Sequence, residues 1–123
     1  MTNRKIILAV LSDLMFAVKI QDAAKRVGLD VTLAKTEDEA VGKAKQNPSL
    51  IIVDLNTTGL NSIELIKKLK TDESTRSFHI VGFVSHVQTD LRKQAQEAGC
   101  DEVIPRSAFS QNLPAILNRT VAT

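Results

Sequence analysis

The chain has 123 residues, of which 43% are hydrophobic and 24% are charged, the composition of a globular domain large enough to bury a core. Its 16 basic and 14 acidic residues leave a net charge of +2, and it contains neither Tyr nor Trp. These values argue against the basic surface and the stacking platform of a nucleic-acid-binding protein. No apolar stretch reaches the about 18 residues that a membrane span requires.

The cysteine content and the first residues bear on the cellular compartment. Cys100 is the only cysteine, so an internal disulfide cannot form, which is typical of a protein from a reducing compartment. Residues 1–4 lead into a strand pattern rather than into the apolar segment of a signal peptide. We therefore expect a cytoplasmic protein in which residues 1–123 form one domain.

Five short apolar runs alternate with five helical patterns along the chain. The strands are predicted at residues 5–10, 31–34, 50–54, 80–84 and 102–104. The third helical pattern gives way to the polar residues 71–77, and the fourth spans about residues 89–98. Strict alternation with short links predicts a parallel sheet covered by helices on both faces.

The helical patterns begin and end at residues with known capping preferences. Three residues are predicted N-caps: Ser12, Thr36 and Ser107. Glu39 completes a capping box with Thr36. Three helices are predicted to stop at glycine or proline: at Gly28, at residues 47–48 and at Gly99. Pro114 lies inside the last pattern, so that helix is predicted to be kinked or to begin late.

The first helix is predicted to bury Phe16, Val18, Ile20, Ala23, Ala24 and Val27.

The run Leu50–Asp54 is the most informative segment of the chain. It is short, rich in β-branched residues and unbroken until its last residue, which predicts a central parallel strand buried on both faces. Asp54 ends this strand, and open α/β sheets bind their ligands beyond the carboxyl ends of the strands. The carboxylate of Asp54 is therefore the first candidate functional group.

Three stretches carry a resemblance to a known family. Residues 48–55 (PSLIIVDL) are similar to a P-D-L-I-L-L-D signature, residues 59–65 (GLNSIEL) to G-M-D-G-x-E-L, and residues 98–102 (AGCDE) to an A-G-A motif before the last strand. Together with the five βα units, they resemble the receiver domain of chemotaxis-type response regulators. The resemblance implies a flavodoxin-like, doubly wound sheet with strand order 2-1-3-4-5.

The resemblance also assigns positions around the third strand. Asp54 occupies the position of the phosphoacceptor, and Arg106 stands where the family has a lysine. The family's hydroxyl position at the end of the fourth strand falls on Val84, or on Ser85 if the register shifts by one residue. The aromatic switch position in the fifth strand falls on Val103.

The acidic pair with which the family holds Mg²⁺ is missing in the favoured register. Its two positions fall on Val10 and Leu11, whose aliphatic side chains cannot replace oxygen ligands. A slip of two residues would place Ser12 and Asp13 there, leaving Asp13 as a substitute acid. Asp13 is otherwise interpreted as an acid in the first turn of the helix, where it favours the helix dipole.

We accordingly predict an atypical, pseudo-receiver signalling module that is not an enzyme and needs no metal or other cofactor. Asp54 is expected to pair with Arg106 and so to hold the third strand against the fifth. The resemblance implies an output face on helix four, strand five and helix five, which would contact a histidine kinase or a downstream signalling protein. We expect a monomer or weak dimer, with no nucleic-acid or membrane partner.

Two alternatives stay open. In the first, a working single-domain response regulator is phosphorylated on Asp54 by a histidine kinase, with Mg²⁺ as cofactor, and Asp13 and Ser85 then point at Asp54. In the second, the fold serves a small nucleotide-binding or hydrolytic enzyme, although residues 11–14 contain no glycine to cradle a phosphate. His86 is a further candidate contact for a phosphate or a partner.

Overall fold

The computed structural model describes residues 5–85 and 88–122, with residues 121 and 122 described in their backbone alone. Residues 1–4 and His86, which enter the expectations above, lie outside the described part. The strands are β1 (Ile6–Val10), β2 (Asp30–Ala34), β3 (Leu50–Asp54), β4 (Ile80–Val84) and β5 (Glu102–Pro105). The helices are α1 (Leu14–Arg26), α2 (Glu37–Ala44), α3 (Ser62–Thr71), α4 (Thr89–Ala98) and α5 (Arg106–Ala122).

The five strands form one parallel sheet in the order β2-β1-β3-β4-β5. This confirms the predicted α/β, flavodoxin-like topology. Every residue of β3 and β4 is buried, as expected for central strands that carry helices on both faces. Asp54 ends β3 opposite Phe83 of β4, so its carboxylate lies at the carboxyl edge of the sheet.

Two apolar clusters cover the two faces of the sheet. One packs α2, α3 and α4 against the sheet, and the other packs α1 and α5 against the opposite face. In the second cluster Phe16, Phe83 and Phe109 join α1, β4 and α5, with ring centroids 4.8 to 5.9 Å apart. This aromatic group lies close to the carboxyl edge of the sheet, because Phe16 is in the first turn of α1, directly after the β1–α1 loop.

Two of the three predicted N-caps are wrong. Asp13, not Ser12, caps α1, since its side chain accepts a hydrogen bond from the Phe16 backbone nitrogen at 3.1 Å. Either residue type suits the position, but the Ser12 hydroxyl lies 3.1 Å from that of Thr57 instead. Helix α5 begins at Arg106 directly after β5, which places Ser107 inside its first turn. The Thr36 cap of α2 is confirmed by a 3.2 Å bond from the Glu39 nitrogen.

The expectation that α1 buries Val18 is wrong. Val18 is 53% exposed, because the buried residues of α1 follow the spacing of Phe16, Ile20 and Ala24 and leave Val18 on the other side. Of the two outcomes predicted for the last helix, a kink or a late start, the late start does not occur, because α5 begins at Arg106 and continues through Pro114. No helix among the described residues is long and apolar enough to cross a membrane.

Gly99 and Gly42 make a matched test of the backbone. Gly99 ends α4 with a left-handed φ of 108°, and a Cβ there would lie 2.9 Å from the Lys70 Cγ. We expect Gly99→Ala to lower the free energy of unfolding by about 1 kcal/mol or more. Gly42 lies inside α2 with open space around it, so Gly42→Ala should raise this free energy by about 0.5–1 kcal/mol. Urea unfolding measures both, and changes of the same sign would contradict this account.

Candidate functional site

Asp54 is a buried carboxylate at the carboxyl end of β3. The residue is only 5% exposed, and its Oδ1 accepts a hydrogen bond of 2.9 Å from the Asn56 backbone nitrogen. Burial raises the pKa of Asp54, and the charge of Asp13 raises it further, whereas the Asn56 hydrogen bond and the charge of Arg106 act in the opposite direction. Asp54 is thus an ionisable group in a poorly solvated site.

Arg106 forms its ion pair with Asp13 and not with Asp54. The Arg106 Nη2 lies 2.5 Å from the Asp13 Oδ2, and this bond is the main cause that lowers the pKa of Asp13. The predicted pairing of Asp54 with Arg106 is therefore wrong, and Arg106 acts on Asp54 through charge at longer range. Because Asp13 Oδ1 caps α1, both oxygens of this carboxylate are engaged.

An aromatic ring holds the other side of Arg106. The guanidinium carbon lies 4.3 Å from the centroid of Phe16 and 5.9 Å from that of Phe83. A planar guanidinium can stack on a ring while its edge binds a carboxylate, which a lysine ammonium cannot do in the same way. The sequence analysis predicted that Phe16 is buried but did not predict its contact with Arg106. The available signal was the arginine at position 106, where the resemblance implies a lysine.

Asn56 connects Asp54 to the start of α4, a role that the sequence analysis did not assign. Its side-chain Oδ1 accepts hydrogen bonds from the Ser85 nitrogen at 2.8 Å and from the Ser85 hydroxyl at 3.1 Å. Its Nδ2 donates to the Gln88 Oε1 at 2.7 Å. Gln88 is the N-cap residue of α4 but forms no capping bond with its own side chain. The amide of Asn56 therefore bonds both Ser85, directly after β4, and Gln88, directly before α4.

The structure places the two candidate hydroxyl positions on different sides of the backbone. Val84 is 3% exposed and packs in the core cluster under α4. Ser85 is exposed, and its hydroxyl is directed to Asn56 rather than to Asp54. In a working phosphorylation site, Asp13 and Ser85 would both point at Asp54. Here the Asp13 side chain bonds Arg106 and Phe16, and the Ser85 hydroxyl bonds Asn56.

The residues at this edge do not fit a divalent cation such as Mg²⁺. Val10 and Leu11 are buried in the core clusters on opposite faces of the sheet. Both carboxylate oxygens of Asp13 are already bonded, one to Arg106 and one to the N-terminus of α1. Among Val10, Leu11, Asp13 and Asp54, only Asp54 therefore has a carboxylate oxygen that could bind a metal ion. Mg²⁺ takes oxygen ligands in near-octahedral geometry, and no group of three His, Cys, Asp or Glu residues in the described ranges could hold a metal ion.

The comparisons with known proteins agree with this architecture. No protein-family model matches the chain. Over 80 residues it is 34% identical to the phosphate regulon transcriptional regulatory protein PhoB of Pseudomonas aeruginosa, an alignment that covers 61% of this chain and 34% of that protein. The chain thus spans about a third of the length of the curated relative that it matches.

Solved structures of response regulators superpose on nearly the whole chain. The chemotaxis response regulator CheY4 of Vibrio cholerae gives a TM-score of 0.82 at 18% identity, covering 96% of this chain and 99% of that chain. The phosphorylated cyanobacterial phytochrome response regulator RcpA gives 0.80 at 22% identity, covering 95% and 91%. A response regulator from Thermotoga maritima gives 0.77 at 18% identity, covering 98% and 100%. The chain therefore has the flavodoxin-like fold of response-regulator receiver domains.

Proposed function

We propose that this chain is a pseudo-receiver, a signalling module of the two-component type that acts through protein–protein contacts rather than through Mg²⁺-dependent phosphorylation. The observation that carries the proposal is the Asp13–Arg106 ion pair. It occupies both the acid that could substitute for the missing acidic pair and the basic residue of the site. Its partner is a histidine kinase or a downstream signalling protein, and α4, β5 and α5 form the contacting face. The module is a monomer or weak dimer and is not an enzyme.

The electrostatics of the site support this proposal. Transfer of a phosphoryl group to Asp54 would convert its buried carboxylate into an acyl phosphate with more negative charge, and such reactions depend on cations that stabilise this charge. Here the nearby cation, Arg106, is neutralised by Asp13 and held on the Phe16 ring. Val10 and Leu11 supply no ligand for a metal ion that could replace it.

One observation favours the alternative, a response regulator phosphorylated on Asp54 by a histidine kinase. The charge of Asp13 acts on Asp54, so the two carboxylates lie within electrostatic range of each other. In this alternative, the phosphoryl group would attract Arg106 away from Asp13 and so release a second acid at the site. Mg²⁺ would then be the cofactor, as in the working members of the fold.

Labelling with a small phosphodonor tests the proposed function directly. We expect the protein to gain no phosphoryl group from acetyl phosphate in the presence of Mg²⁺, because the site does not stabilise the added charge. Intact-mass spectrometry measures the gain, with Asp54→Asn and a sample without Mg²⁺ as controls. Mg²⁺-dependent labelling that disappears in Asp54→Asn would establish the alternative.

The ion pair between Asp13 and Arg106 predicts how the pKa of Asp54 responds to a substitution. Asn caps helices as well as Asp does, so Asp13→Asn should keep the start of α1 while removing the ion pair. We expect the pKa of Asp54 to fall, because a repelling charge is lost and Arg106 is released. Carbon-13 NMR of the carboxyl groups measures this pKa. Asp22→Asn, on the exposed side of α1, removes the same charge as a control, and an unchanged or higher pKa in Asp13→Asn would contradict the assignment.

The raised pKa of Asp54 also predicts how stability depends on pH. The folded chain binds this proton more tightly than the unfolded chain does, so the contribution of Asp54 to stability is lost as pH rises from about 3.9, the unfolded value, through the folded pKa. At neutral pH the ionised carboxylate therefore opposes folding. We expect Asp54→Asn to have a higher free energy of unfolding than the wild type at pH 7, by a margin that fades below about pH 4. Urea unfolding across this range measures the margin, and a variant that is less stable at pH 7 would contradict the burial argument.

A further inference from the structure

A cavity of about 200 Å³ lies at the amino edge of the sheet, opposite the carboxyl edge that carries Asp54. We call it the amino-edge pocket. Leu50 begins β3 and Asp54 ends it, so the length of the strand separates the two places by about 13 Å. The pocket is lined by Ser49, Leu50, His79, Ile116, Arg119 and Thr120.

The floor of the amino-edge pocket is apolar. Leu50 and Ile116 are buried and belong to the cluster that packs α1 and α5 against the sheet. An apolar cavity of about 150 Å³ in a protein can hold one benzene molecule, whereas drug-sized ligands occupy about 300–1,000 Å³. The volume of this pocket therefore suits one ring or one branched aliphatic group.

Arg119 supplies a cation next to this floor, because Ile116 and Arg119 are three residues apart and share one face of α5. The Arg119 side chain is 60% exposed, and its hydrogen bonds to described residues both run from Nη2 to the Glu102 carboxylate, at 3.3 and 3.5 Å. Bonds of this length on an exposed side chain hold it weakly. A guanidinium has five N–H donors and binds a carboxylate with two of them, so Arg119 is suited to receive a carboxylate from a ligand.

The other polar groups of the lining also suit an anion. The Nε2 of His79 lies 2.6 Å from a Glu102 oxygen, so one carboxylate contacts both His79 and Arg119 and keeps the two basic side chains close together. Ser49 is exposed and adds a hydroxyl donor. Among the described residues that line the pocket, none carries a carboxylate of its own.

The charges around the pocket favour a ligand with one negative charge over a ligand with two. Asp101 is paired with Lys70 at 2.8 Å. The Lys5 Nζ binds the Thr120 carbonyl oxygen at 2.8 Å, which offsets the negative end of α5. Glu102 stays next to the cation of the pocket, so it would repel the second charge of a phosphate dianion. A monocarboxylate carries no such second charge.

We propose that the amino-edge pocket binds a small organic monocarboxylate. Its carboxylate pairs with Arg119, and its aromatic or branched aliphatic body lies on Leu50 and Ile116. This inference goes beyond the proposed function, because binding at this edge requires neither Asp54 nor a protein partner.

Titration followed by proton–nitrogen NMR tests the inference, with benzoate and 3-methylbutanoate as probes. We expect saturable shifts of the backbone signals of Leu50, Ile116 and Arg119, with a Kd of about 1 mM or lower for at least one probe. Benzamide has the same ring without the charge and should bind about tenfold more weakly or worse than benzoate. Phenyl phosphate should also bind more weakly than benzoate, because of its second charge.

Two variants and one matched control locate the binding. Arg119→Gln removes the cation and should raise the Kd about tenfold or more, and Ser49→Phe fills the pocket from its exposed side and should abolish the shifts. Arg26→Gln is the control, since Arg26 is also an exposed arginine in the last turn of a helix, and its Kd should equal that of the wild type. The NMR spectra also establish that each variant is folded, and if Ser49→Phe does not fold, Arg119→Gln and Arg26→Gln decide the question.

Four results would overturn the proposal: shifts that do not saturate with either probe, equal binding of benzamide and benzoate, tighter binding of phenyl phosphate, or a Kd that Arg119→Gln changes no more than Arg26→Gln does. Mg²⁺-dependent labelling of Asp54 would overturn the proposed function and leave this titration unaffected, so the two failures are distinguishable.

Discussion

The arrangement of side chains around Asp54, at the carboxyl edge of the sheet, depends on the ion pair between Asp13 and Arg106. It joins the N-terminus of α1 to the junction of β5 and α5, across 93 positions of sequence. Both side chains are partly exposed, at 40% and 30%, so the pair adds little to the stability of the fold. Its importance is geometric, because it fixes where the guanidinium lies. With Arg106 turned towards α1, the buried carboxylate of Asp54 has no direct cationic partner among the described residues.

The aromatic group beneath this edge positions the ion pair. Three of the chain's four phenylalanines, Phe16, Phe83 and Phe109, pack together and connect α1, β4 and α5. Phe16 offers its ring face to the guanidinium, and the backbone nitrogen of the same residue binds Asp13. One residue thus orients both members of the ion pair. Arginine is suited to this site because its plane stacks while its edge donates hydrogen bonds.

The changes at the carboxyl edge of the sheet are consistent with one another. Where the resemblance implies an acidic pair, a hydroxyl and an aromatic switch, the chain has buried aliphatic residues at Val10, Leu11, Val84 and Val103. The connection from Asp54 to α4 passes instead through the amide of Asn56. None of the members of this network needs a change in charge to form its hydrogen bonds.

The alternation of apolar runs and helical patterns was enough to predict a parallel sheet with helices on both faces, since buried strands and amphipathic helices are set by residues close together in sequence. The strand order 2-1-3-4-5 was implied by the family resemblance and not by these patterns. The same local patterns identified Asp54 as a candidate functional residue, whereas the positions of Val10 and Leu11 as lost metal ligands were implied by the resemblance. Tertiary structure alone decided the partner of Arg106, the capping role of Asp13 over that of Ser12, and the bridging role of Asn56. These choices depend on side chains that meet only after β1, β3, β4 and β5 have assembled. A sequence pattern shows that a charge is available near an edge, but packing decides which of two carboxylates it reaches.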